Sequence, residues 1–240
     1  MNKKVWIGLF FVALISDLVC IQVELPAMRF LTKPALVIFL AGYFFSSLWD
    51  NQSLLKWWVA AALGFSWLGD VFLLFESQSS LFFIMGLSSF LLAHVCYSWF
   101  FNKVHKGEYA TWSPWFTGFV VIYYAALMRL LSSGLGTMKV PVYFYGIVIC
   151  IMFWLALHLN KIYQRNAGLY LLLGASLFVL SDSILAINKF YQPITGAGLL
   201  IMSTYGLAQW LITEGAIQWF QVRSVEPFVR VKTVRDATLV

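Results

Sequence analysis

Charge is scarce in this sequence. Asp, Glu, Lys and Arg occupy 11% of 240 positions, against about a quarter in a soluble domain. That shortage excludes a water-soluble globule. With 61% of residues hydrophobic, it excludes a disordered chain too. Cysteine is rarer still: Cys20, Cys96 and Cys150 each lie inside an apolar run. They form no CxxC pair, so a disulfide scaffold is excluded and they read as small buried hydrophobes. Of the histidines only His94 falls in mid-run. His105 falls in a loop and His158 at a run's end, too few for the usual zinc set. Nothing matches GxGxxG, a Walker loop, HExxH or GxSxG, and no metal or organic cofactor is expected.

Long apolar runs are what the sequence has instead. They are continuous rather than alternating, which argues against a lipid-exposed β-barrel. A helix needs about 20 residues to cross the hydrocarbon layer. Eight runs qualify: Val5–Val23, Leu31–Trp49, Trp57–Phe75, Leu81–Phe101, Trp115–Leu131, Val140–Leu159, Ala167–Ile187 and Ile194–Trp219. The first follows Lys3 and Lys4 as a signal peptide would, but no small-x-small site comes after it, and it is kept as a helix. The expectation is an all-α polytopic membrane protein with eight transmembrane helices. Residues 1–222 form one domain and 223–240 a basic cytoplasmic tail.

Lys and Arg set the orientation. Eleven fall at the N-terminus, in alternate loops and at the C-terminus: Lys3, Lys4, Lys56, Lys103, Lys106, Lys161, Arg165, Arg223, Arg230, Lys232 and Arg235. Five fall on the other side: Arg29, Lys33, Arg129, Lys139 and Lys189. Both termini are therefore expected in the cytoplasm. The net charge of +6 is assigned to this bias and not to nucleic-acid binding. The expected location is a multi-pass site in the membrane, the cytoplasmic (inner) one if the chain is bacterial. Membrane lipids are its surroundings, and no oligomeric state is read.

Ionisable groups at bilayer depth are costly and mark function by default. Asp17, Asp70 and Asp182 sit in the first, third and seventh runs, each a few residues past the midpoint. At 1.5 Å per residue they lie about 4–8 Å toward the outer side. Three carboxylates at one depth could line one cavity. Lys33, read as the start of the second helix beside an N1 Pro34, could be their counter-charge. His94 and Tyr97 share one helix face at i,i+3; Tyr205 and Gln209, and Ser66 and Asp70, share theirs at i,i+4. These could floor the cavity. The simpler role for any of them is a hydrogen bond between helices, worth about 1 kcal/mol.

An internal echo sets two aspartates apart. Gly64, Ser66, Gly69, Asp70 and Leu73 are matched loosely by Gly174, Ser176, Ser181, Asp182 and Leu185. Ala93-His94-x-x-Tyr97 follows the first set, as Thr204-Tyr205-x-x-Ala208-Gln209 follows the second. A 4+4 repeat would place Asp70 and Asp182 at equivalent depths.

Two carboxyls at one level suit acid–base hydrolysis, one holding a proton while the other stays ionised and activates water. Lys33-Pro34, Gly69-Asp70, Ala93-His94-x-x-Tyr97, Ser181-Asp182-x-x-Leu185-Ala186 and Thr204-Tyr205-x-x-Ala208-Gln209 together resemble the YhhN-like family of transmembrane lysoplasmalogenases, over roughly residues 30–215. The resemblance implies hydrolysis of the vinyl ether bond of a lysophospholipid, the lysoplasmalogen, by water. The products are a fatty aldehyde and glycerophosphoethanolamine or glycerophosphocholine. It places Asp70 and Asp182 as the catalytic pair. Lys33, His94, Tyr97, Tyr205, Gln209 and Ser66 would bind substrate or position water, and Lys33 with Arg29 would hold the phosphate. Asp17 matches no family motif and stays a candidate for the same supporting role. The main alternative is a proton-coupled transporter using these aspartates as a relay. A non-catalytic lipid-binding scaffold and a zinc-dependent lipid amidase are further ones.

Overall fold

A computed structural model of the chain describes residues 2–108, 112–159 and 165–237; the side chains of Arg165 and of residues beyond 222 fall outside it. Lys161 and the basic side chains of the tail, which entered the orientation count, thus lie outside the described residues. The described chain is all helical. Its eight α-helices are α1 (Lys3–Gln22), α2 (Pro26–Ser47), α3 (Lys56–Leu74), α4 (Ser80–Gly107), α5 (Pro114–Leu131), α6 (Lys139–Leu159), α7 (Arg165–Phe190) and α8 (Ala197–Ala237), with a short 3₁₀ turn at Gly136–Met138 before α6. Seven of them, all but α8, are long and apolar enough to cross a membrane. The protein is a multi-pass integral membrane protein.

Local chemistry sets the helix ends. The Asn2 side chain accepts from the Lys4 N–H at 3.1 Å, and Ser79 accepts from the Leu81 N–H at 3.2 Å, each satisfying an orphan donor of a first turn. Pro26 and Pro114 open α2 and α5, where a missing N–H costs nothing. Asn188 accepts from the Ile194 N–H at 2.8 Å and closes the turn from α7 to α8, where Gly196 takes a φ of +72°.

Three boundaries differ from the sequence reading. The second helix starts at Pro26, so Pro34 lies inside it. Lys33 is accordingly a buried mid-helix residue and not an end residue. The fourth helix runs to Gly107, which makes His105 helical and buried rather than a loop residue. The last helix continues through Ala237 without a break where the basic segment begins.

The closest pairings join α7 to α8, α3 to α4 and α1 to α2. Small residues permit them. A Cβ on Gly174 would stand 2.8 Å from the Ile212 nitrogen and 3.0 Å from the Ala208 oxygen, so α7 and α8 touch through backbone. The core is aliphatic and aromatic, with Phe10, Leu40, Phe44, Phe100 and Phe178 almost wholly buried. The outward faces are apolar too: Val12, Leu31 and Ile122 are all more than 60% exposed. This inside-and-outside hydrophobicity is that of a bundle solvated by lipid. The least enclosed helix is α5, with only Val120, Met128 and Leu131 buried.

Candidate active site

The structure opens a cavity of about 90 Å³ at the end of the bundle away from the chain termini. Leu73 near the end of α3, Phe83 near the start of α4 and Leu131 and Phe190 at the ends of α5 and α7 line it on that side. Its polar lining includes Lys33, Asp70, Tyr145, Asp182 and Tyr205. Two carboxylates from helices more than a hundred residues apart in sequence therefore share one hollow.

Each has its own partners. Lys33 of α2 brings its Nζ within 3.5 Å of Asp70 Oδ1. The Tyr205 hydroxyl of α8 donates to Asp70 Oδ2 at 2.6 Å. Behind Tyr205, Gln209 Nε2 donates to its oxygen at 3.4 Å, and the Tyr97 hydroxyl donates to Gln209 Oε1 at 2.8 Å. Both oxygens of Asp70 are thus engaged and the group is almost fully buried. Asp182 is arranged otherwise. Its Oδ2 accepts a short hydrogen bond from the Tyr145 hydroxyl and lies 3.3 Å from His94 Nε2. His94 Nε2 is also 2.9 Å from the Tyr145 oxygen. Among the described residues His94 Nδ1 has no hydrogen-bond partner, and the polar contacts of the ring run through Nε2. The Asp182 side chain is 17% exposed, and none of the described hydrogen bonds reaches its Oδ1. One carboxylate is tied at both oxygens, and the other, partly exposed on the cavity wall, is held through Oδ2 in the described hydrogen bonds.

The partnering is reciprocal. Asp70 on α3 reaches Tyr205 on α8, and Asp182 on α7 reaches His94 on α4. His94 and Tyr205 are the residues that the sequence echo aligned.

The other candidates lie at the margins. His94 and Gln209 contact wall residues from behind, and Tyr97 stands behind Gln209. Ser66 is buried one turn from Asp70, with no partner for its hydroxyl among the described residues. Asp17 is not in the cavity wall. It accepts from Arg29 Nε at 3.3 Å and Nη2 at 3.2 Å and from Thr32 Oγ1 at 2.7 Å. That set satisfies both its oxygens and fastens α1 to α2. Arg29 is thereby engaged, as is Lys33. Tyr145 was not among the sequence candidates. It lies in the run Tyr143-Phe144-Tyr145, where nothing distinguishes it from an interfacial aromatic. Tyr123 and Ser183, hydrogen-bonded to each other on the cavity wall, were equally unmarked. Among the described residues no three His, Cys, Asp or Glu side chains converge as a metal would need.

Comparison with known proteins gives one consistent picture. Residues 28–216 match the model of the YhhN family. The chain is 34% identical to lysoplasmalogenase TMEM86B of Homo sapiens over 65% of its own length and 62% of the relative's. It is 32% identical to the Rattus norvegicus protein of the same name over 68% of this chain and 62% of that one. Against lysoplasmalogenase TMEM86A of Homo sapiens it is 32% identical, over 67% and 65%. The matches thus span less than two thirds of these relatives' length. No solved structure matches the chain.

Proposed function

The chain belongs to the YhhN family, and from that membership and the cavity we propose that it is an integral-membrane lysoplasmalogenase. It hydrolyses the vinyl ether bond of a lysoplasmalogen to a fatty aldehyde and glycerophosphoethanolamine or glycerophosphocholine. The observation that carries this reading is the pair of differently partnered carboxylates, Asp70 and Asp182, on one cavity wall.

The division of labour follows from the partners. Asp182, the more exposed of the two, enters as the acid and Asp70, beside the Lys33 ammonium, as the carboxylate. Asp182 gives its proton to the vinyl carbon distal to the ether oxygen. The carbon attached to that oxygen becomes an oxocarbenium centre, which the Asp70 charge stabilises. Water adds to it and loses a proton to Asp70. The resulting hemiacetal then collapses. Its hydroxyl proton returns to Asp182, its carbon–oxygen bond to glycerol breaks, and the leaving oxygen takes the proton held on Asp70. One water is consumed and both carboxyl groups are restored. Tyr145 and His94 orient Asp182, and Tyr205, backed by Gln209 and Tyr97, orients Asp70.

With Arg29 and Lys33 engaged, the head group is assigned to the protein surface beside Phe83, at that end of the cavity. There Lys189 pairs with Glu76 at 3.1 Å and stands 4.1 Å above the Phe83 ring. An exposed pair of both signs suits a zwitterionic head group. The fold belonging to this reading is one of eight spans with both termini in the cytoplasm, α8 being the eighth. The reciprocal partnering of Asp70 and Asp182 supports a 4+4 repeat.

The test is mass spectrometry of the purified protein in detergent, without any ion gradient, given alkenyl, alkyl and acyl lysolipids of one chain length. Aldehyde from the alkenyl lipid alone is expected. No aldehyde, or equal cleavage of the acyl lipid, would overturn the reading, and a gradient-driven carrier would release none.

A further inference from the structure

The hydrolase reading requires a place for a long hydrocarbon whose first carbons reach Asp70 and Asp182, the carboxylates that line the cavity.

Two of the cavity's lining residues, Tyr124 of α5 and Cys150 of α6, also line a second hollow of about 320 Å³. This is an open groove between α5 and α6, walled further by Thr117, Val121, Ile151 and Trp154. Val121 is 59% and Ile151 46% exposed, on a surface that faces lipid. The polar groups along it are already used. The Trp154 Nε1–H donates to Thr117 Oγ1 at 2.9 Å, and the Tyr124 hydroxyl donates to the Tyr143 carbonyl at 3.2 Å. The groove is therefore an apolar track. From Tyr124 to Thr117 it extends about 10 Å along α5 at the helical rise. The Trp154–Thr117 bond joins the two helices at its far end.

The helix on one side of this track is also the one most easily moved. α5 packs chiefly on α6 and α7 and buries the fewest residues of the described membrane helices. An element with so little buried surface parts from its neighbours at the lowest cost. A chain entering here from the bilayer exchanges lipid contacts for apolar protein contacts and never meets water.

We infer that the α5–α6 groove is the hydrocarbon-chain site of the protein, taking a long unbranched chain from the bilayer side. The chain passes between Tyr124 and Cys150, so that its first carbons reach Asp182 and Asp70. This deepens the hydrolase reading and rests on it.

The experiment uses Val121→Trp and Ile151→Trp, made separately in the full chain. Both positions line the groove, face lipid and are absent from the cavity wall, so a larger ring there leaves the carboxylates untouched. Each variant and the wild type are given lysoplasmalogens with a sixteen-carbon and a four-carbon alkenyl chain. Both variants are expected to lose about tenfold or more in kcat/KM on the long chain, with the short-chain value unchanged and the melting temperature kept. Equal losses on both chains, or no loss on the long one in either variant, would overturn the groove assignment while leaving the hydrolase reading in place. A wild type that releases no aldehyde from either lipid would overturn both.

Discussion

Asp182→Asn is expected to yield a folded, detergent-stable protein whose release of aldehyde falls by about 10²–10⁴-fold, the usual contribution of a positioned proton donor. The amide keeps the carboxylate's shape and still accepts from Tyr145 at the position of Oδ2. It cannot protonate carbon. The loss should therefore be in kcat, with KM little changed, because Asp182 is asked to act in the transition state and not in binding. A variant that unfolds would not test this, so its melting temperature has to be followed alongside turnover. Near-normal turnover in a folded Asp182→Asn protein would remove it as the acid.

The same change at Asp70 is expected to behave differently. Lys33 is only about a tenth exposed and its ammonium lies 3.5 Å from the Asp70 carboxylate. Asp70→Asn leaves that ammonium buried without a counter-charge, and Lys33→Met leaves the carboxylate so. Breaking a buried pair from one side costs about 3–5 kcal/mol, whereas removing both charges costs far less. Each single variant should thus melt well below the wild type. The double variant Lys33→Met/Asp70→Asn should recover most of the loss yet stay inactive, because the stabilising carboxylate is gone. Thermal unfolding of the four proteins in one detergent reads the coupling directly. A double variant no more stable than the worse single one would show that the pair does not hold together as described.

Much of this arrangement was legible in the residues, and the failures have physical causes. Seven of the apolar runs became long apolar helices, because a continuous run of that length in lipid has no other way to satisfy its backbone. The start of α2 was missed. Arg29 and Lys33 interrupt the apolar run there, and a charge inside a span reads as its end. In the fold both charges are neutralised by carboxylates on neighbouring helices, Asp17 and Asp70, so the helix carries them inside. Depth was legible but direction was not. Asp17, Asp70 and Asp182 have similar heights by counting, and counting alone suggests one cavity. The rotation of α1 presents Asp17 to Arg29 and Thr32 instead. Tyr145 was hidden for the opposite reason. A tyrosine among aromatics near a helix end has an ordinary explanation in the membrane interface, and only the packing of α6 against α4 and α7 reveals that its hydroxyl meets Asp182.

Asp17 and Asp70 differ in how they use their cations. Asp17 is surrounded by three donors from side chains on one neighbouring helix and is not in the wall of the active-site cavity. Asp70 shares a wall with substrate-sized space and takes its second donor, Tyr205, from a helix distant in sequence. A carboxylate tied within a helical hairpin holds that hairpin together. One shared between the start and end of the chain depends on the whole bundle being assembled.

The central claim is that a carboxyl group in this cavity protonates the vinyl carbon before water adds. Hydrolysis of a lysoplasmalogen by the purified protein in D₂O, with the aldehyde reduced at once and the configuration at its labelled carbon determined, tests it most directly. One deuterium on the carbon next to the aldehyde carbon, in a single configuration, is the predicted result, because a carboxyl group fixed on the cavity wall delivers it to one face. A racemic label would contradict it, because an enol protonated by bulk solvent takes the label from either face.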